Sequence, residues 1–144
     1  MGGVKMALQV KLLTENAIVP TRATRDSAGL DLFSIMDVCI PPTTVGMVKT
    51  GIAIILSEGT YGRIADKSSM ALKNLCVCAG VIDFDFRGEI IVLLRNFSPD
   101  THVIKKHQKV AQLIVTQIHY PKVIVVEELS TTERGCSGFG SSGL

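Results

Sequence analysis

Short runs of aliphatic and β-branched residues recur along the chain, at residues 8–12, 45–56, 61–65, 75–82, 89–96, 110–119 and 123–127. Turn formers separate them: Pro41-Pro42, Glu58-Gly59, Ser98-Pro99-Asp100 and the polar stretch 105–108. Such runs, bounded in this way, are strand signals, so the pattern predicts an all-β fold. Residues 68–74 break the rule, because Met70, Ala71, Leu72 and Lys73 are good helix formers and predict a single short helix. From Ser130 the apolar pattern stops and glycine and serine take over. Residues 130–144 therefore read as an arm that stays loose until something holds it, attached to one domain over residues 1–129.

Composition narrows the classes of function. With 144 residues and 47% hydrophobic content, the chain can bury a core of its own. A net charge of +2 without a basic run lacks the footprint of a protein that binds nucleic acid stably, and a small anionic ligand fits better. Apolar stretches such as 52–56 and 90–94 fall far short of the ~20 residues that span a bilayer. Residues 1–6 carry Lys5 but lead into no apolar leader, and Met1-Gly2-Gly3 resembles a myristoylation start except for Met6 where Ser or Thr is needed. The expectation is a soluble, intracellular protein with no membrane contact. Cys39, Cys76, Cys78 and Cys136 have no zinc-ribbon spacing, and Cys76 and Cys78 share one face of a strand as two small buried hydrophobes would. The three histidines lie apart, so zinc is not expected.

Two stretches carry chemistry. Gly80-Val81-Ile82-Asp83-Phe84-Asp85-Phe86-Arg87-Gly88 places two carboxylates on a turn between apolar runs, and the tail from Arg134 to Gly143 combines one cation, one ring at Phe139 and several glycines. Charge for phosphates and a ring for a base suit a nucleotide. A carboxylate beside such a turn can hold a water and accept its proton. Capping of a hairpin is the plain structural role for the same aspartates.

Five segments, in order, resemble the five motifs of the trimeric dUTP pyrophosphatases (dUTPases). They are Ala28-Gly29-Leu30-Asp31-Leu32; Gly62-Arg63-Ile64-Ala65-Asp66-Lys67-Ser68-Ser69-Met70-Ala71; the turn from Gly80 to Ile90; Val110-Ala111-Gln112-Leu113-Ile114; and the tail. The resemblance implies a jelly-roll-like β-barrel subunit with one short helix, and a C-terminal arm that closes the active site. It implies hydrolysis of dUTP to dUMP and pyrophosphate with Mg²⁺, in a homotrimer whose three sites lie between subunits. A dUTPase-like binding or regulatory protein with weak or no hydrolysis is the alternative. The related dCTP deaminases need an acid/base Glu where Leu93 stands.

The resemblance assigns roles residue by residue. Asp83 positions the attacking water; Gly80, Val81, Ile82 and the facing backbone at Ile91 read uracil through N–H and C=O groups. Phe86 stands where the family usually has Tyr, its ring blocking a 2′-hydroxyl. Lys67, Ser68 and Ser69 replace the usual Arg-Ser-Gly on the phosphates, a change similar to some retroviral members, with Ser68 and Ser69 near the start of the short helix. Gln112 lines the phosphate region, Asp31 meets the metal through water, Arg134 meets the γ-phosphate, Phe139 stacks on uracil, and Gly140 and Ser141 wrap the phosphates. Asp66 replaces a proline beside the triphosphate, with Lys67, Lys73 or a metal-bound water as candidate partners.

Overall fold

The computed structural model describes residues 7–141 and 143. The Met1-Gly2-Gly3 start and the arm residues Ser142 and Leu144 lie outside the described residues. Among the described residues, eleven strands and one helix follow in order: β1 (Gln9–Leu12), β2 (Leu30–Phe33), β3 (Val38–Ile40), β4 (Val45–Lys49), β5 (Ile52–Ile55), β6 (Thr60–Ala65), α1 (Ser68–Ala71), β7 (Leu75–Cys78), β8 (Val81–Ile82), β9 (Ile91–Asn96), β10 (His102–Ile104) and β11 (Lys109–Gln117). The fold is all-β with one short helix, as the periodicity predicts.

The strands form four antiparallel sheets: β1-β5, β10-β3, β2-β11-β6-β8 and β4-β9-β7. This is a jelly-roll-like arrangement of packed sheets and not one closed barrel. Ile40, Val48, Ile90, Val92, Leu94 and Val110 are fully buried between the sheets and belong to one continuous apolar cluster. Each such side chain contributes about 1.5–3 kcal/mol of burial.

Two expected long strands are each broken in two. The run 45–56 divides at Gly51 (φ 67°), and the run 75–82 divides at Ala79 (φ 57°) and Gly80 (φ 92°). Residues 123–127, expected as a strand, have no sheet partner among the described residues; Val123 and Val125 are more than nine-tenths exposed. Strands β2, β3 and β10, of three or four residues, lie outside the expected runs. Cys76 and Cys78 do share a face, but both are half-buried on an outer sheet surface, opposite Arg95 and Leu93 of β9. Burial pushes the Cys76 thiol up, and the Asp66 carboxylate and Cys78 push it the same way.

Candidate functional site

The four-stranded sheet gathers four of the five motifs. Gln112 of β11 lies directly between Asp31 of β2 and Ala65 of β6, so motifs one, four and two form a row across the sheet. Gly29 lets that row close up, since a Cβ there would sit 2.3 Å from Gln112 Oε1. Gln112 Nε2 donates to the carbonyl of Asp66 at 2.8 Å and fixes the loop that leads into α1. Ser68 and Ser69 are exposed in the first turn of α1, where N–H groups have no partner within the helix.

Asp31 is the buried centre of this end. It is 3% exposed, with Lys67 Nζ 2.5 Å from Oδ1 and Lys109 Nζ 2.8 Å from Oδ2. The second contact is an ion pair that leaves Oδ2 without a well-directed hydrogen bond. Burial alone would raise the Asp31 carboxyl, but the contacts and charges of Lys109 and Lys67 together hold it below the ordinary aspartate value. Buried, with both oxygens facing lysines, Asp31 anchors two of the protein's own cations. Of the partners considered for Asp66, Lys67 pairs elsewhere, and the Asp66 Oδ1 accepts the Val77 N–H at 2.6 Å.

The Asp83 turn hangs between two anchored legs. On one side Val81 and Ile82 pair with Arg63 and Gly62 of β6, and the Gly80 carbonyl accepts the Ile64 N–H at 2.7 Å. Only glycine fits at 80, because a Cβ there would lie 2.6 Å from the Ile64 carbonyl oxygen. On the other side Glu89 Oε1 accepts the Gly51 N–H at 2.9 Å and Thr50 Oγ1 donates to the Ile90 carbonyl at 2.5 Å. Ile91 then enters β9 opposite Lys49. The turn itself closes through Phe86 N–H to the Asp83 carbonyl at 3.1 Å, and Arg87 Nη1 donates to the Phe84 and Phe86 carbonyls. Asp83 is exposed, and Phe86 is 43% exposed with its ring over Gly88.

Asp83, Val81, Phe84 and Asp85 line a cleft of about 310 Å³ with Tyr61, Ile118 and Tyr120. Its size is at the lower end of small-ligand sites. The aromatic wall from Tyr61 and Tyr120 is absent from the sequence reading, since neither tyrosine lies in a motif. A further cleft of about 330 Å³ between β1, β5 and Arg87 contains none of the predicted site residues.

The two halves of the predicted site do not meet within one chain. Asp83 lies beyond the Tyr61 end of β6, whereas Lys67, Ser68 and Ser69 follow Ala65 at the other end. Tyr61 and Ala65 are four residue steps apart along the strand, about 13 Å. The arm meets neither half: Arg134 Nε donates to Ser137 and Ser141 N–H to Gly138, and among the described residues the hydrogen bonds of 132–143 stay within that segment. Phe139 is fully exposed, and Gly140 has φ 84°.

The family model described as dUTPase matches residues 15–143. The chain is 46% identical over 139 residues to the human mitochondrial deoxyuridine 5'-triphosphate nucleotidohydrolase, covering 96% of this chain and 55% of that protein. It is 47% identical over 139 residues to the enzyme of that name from Paramecium bursaria Chlorella virus 1, covering 96% of this chain and 99% of the relative. Among solved structures, the Staphylococcus bacteriophage 80alpha dUTPase with dUpNHpp superposes with a TM-score of 0.90 at 30% identity, covering 96% of this chain and 99% of that one. A dUTPase variant from phage phi11 of S. aureus, described with a coordinated structural Mg(II) ion, superposes with a TM-score of 0.81 at 28% identity, covering 87% and 99%.

Proposed function

Since the chain belongs to the dUTPase family, we infer that it hydrolyses dUTP to dUMP and pyrophosphate, inside the cell, where this limits uracil in DNA and supplies dUMP for dTTP synthesis. The observation that carries the reading is the exposed carboxylate of Asp83 at the mouth of the aromatic cleft, on a turn with both legs anchored. The backbone of Gly80, Val81 and Ile82, with that of Ile91, reads the uracil edge. A site built to match those polar edges refuses cytosine, because unpaired groups would be left buried. The Phe86 ring lies against the deoxyribose and leaves no room for a 2′-hydroxyl.

Asp83 orients a water on the α-phosphorus and takes its proton as the new P–O bond forms. The bond from the α-phosphorus to the oxygen bridging α and β breaks in line, and pyrophosphate leaves with that oxygen. Lys67, Ser68, Ser69, Gln112 and Arg134 hold the phosphates, Phe139 stacks on the base, and Gly140 and Ser141 close over the chain of phosphates. Stacking is worth about 1–3 kcal/mol, enough to help order a loose arm. Bound Mg²⁺ supplies neutralisation of the triphosphate charge. The residues present fit an ion held mainly by phosphate oxygens and water, since among the described residues no three His, Cys, Asp or Glu side chains converge.

The active assembly is a homotrimer with shared sites, residues 1–129 forming the body and 130–144 the arm. The separation of Asp83 from Lys67 along β6 supports this, because a second chain must supply the missing half. So does the exposed apolar stretch Val123, Ile124 and Val125 leading to an arm without a seat on its own body.

Pyrophosphate release measured with dUTP, dCTP, dTTP and UTP tests the activity. Turnover confined to dUTP is expected; no turnover with any of the four would favour the binding protein.

A further inference from the structure

A break in β11 decides which lysine reaches Asp31. In an unbroken strand, Lys109 and Gln112 are three residues apart and face opposite sides. The register shifts between Lys109 and Ala111, however, so that Lys109 opposes Phe33 while Ala111 opposes Leu32. This bulge buries Val110 completely and turns Lys109 onto the face shared by Phe33, Asp31 and Gln112. There its ammonium lies 6.0 Å from the centre of the Phe33 ring and 2.8 Å from Asp31 Oδ2. The Lys67 side chain is 21% exposed and the Lys109 side chain 47%, around a carboxylate that is 4% exposed.

We propose that Lys109 is a positioning residue that lets Lys67 pass from Asp31 to the triphosphate. This rests on the reading of Lys67 as a phosphate ligand. In the free enzyme Lys67 is committed to Asp31, and turning it wholly to a phosphate would strand a buried carboxylate without a partner, which is costly. Lys109 holds the other carboxylate oxygen, so Asp31 stays paired when Lys67 leaves. Asp31 thereby stores the cation, and Lys109 makes its release possible. A lysine serves here where a rigid arginine fork would bind the carboxylate more tightly at position 67.

The test is a double-mutant cycle read by affinity for dUpNHpp and for dUMP, after the wild-type enzyme is shown to release pyrophosphate from dUTP. Absence of wild-type turnover would refute the hydrolase reading and leave the cycle to judge the lysines by binding alone. Lys109→Met is expected to weaken dUpNHpp about tenfold, the middle of the range for coupled neighbours, and dUMP far less. Lys109→Arg should restore most of the loss. In an Asp31→Asn background, which removes the buried charge and any folding penalty with it, Lys109→Met should have no further effect. An equal loss for both ligands, or the same loss in the Asp31→Asn background, would overturn the proposal and make Lys109 a structural or independent contact.

Discussion

Gln112 Nε2 bonds the carbonyl of Asp66 at 2.8 Å, and that single contact ties the middle of β11 to the loop that presents Lys67, Ser68 and Ser69. Gln112 thus shapes the loop that carries the proposed phosphate ligands. Its replacement by Ala should raise KM for dUTP by roughly tenfold, as expected when a positioned loop is released. Steady-state kinetics checks it, and an unchanged KM would remove Gln112 from the site.

Asp83→Asn keeps the shape of the turn and removes the proton acceptor. Turnover should fall by about 10²- to 10⁴-fold while dUpNHpp binds at near wild-type affinity. Retention of more than about a tenth of wild-type kcat would mean that another group handles the water.

Phe86 carries the ring but not the hydroxyl of the family's Tyr. The wild-type enzyme should strongly prefer dUTP to UTP, and Phe86→Ala should narrow that margin. Comparison of the two kcat/KM values decides it; a constant ratio would place sugar selection elsewhere.

Two inactive variants should rescue each other when refolded together, one carrying Asp83→Asn and one ending before Arg134. In random trimers at equal input, a site that draws turn and arm from different chains is intact about one time in four, by symmetry. Recovery near a quarter of wild-type activity is expected. Zero recovery in mixed trimers confirmed by mass would place turn and arm on the same chain.

The Asp31 carboxyl is held below its unfolded value of 3.8, so the folded state binds fewer protons there than the unfolded state as acid is added. Its contribution to stability is fully present above that value and fades as pH falls through the lower folded value. Thermal melting from about pH 5 to about pH 2.5 should show a steeper loss for the wild type than for Asp31→Asn. Parallel curves would mean that the lysine clamp adds nothing to stability.

Gly80→Ala should destabilise the fold by about 1–3 kcal/mol, since the new methyl meets a backbone oxygen and φ is positive. Urea unfolding provides the measure, with a change below about 0.5 kcal/mol showing that the turn yields.

The sequence by itself determined most of the strand-and-turn alternation, the short helix and the residue types that the turn and tail present, because side-chain size, branching and backbone preference act over a few residues. Asp83, Gly80 and Gln112 were legible for that reason: each sits inside a contiguous segment whose residue types already match the task. Three features were not. Val123 and Val125 have strand chemistry yet no strand partner among the described residues, and pairing depends on what lies alongside. Lys109 points at Asp31 only because β11 bulges against β2, and a one-residue slip in register reverses which side chains share a face. The distance between Asp83 and Lys67 was set by their places at opposite ends of β6, which follow from how β8 and α1 join that strand. Local preference chooses the elements; the partner across the sheet chooses where their side chains arrive.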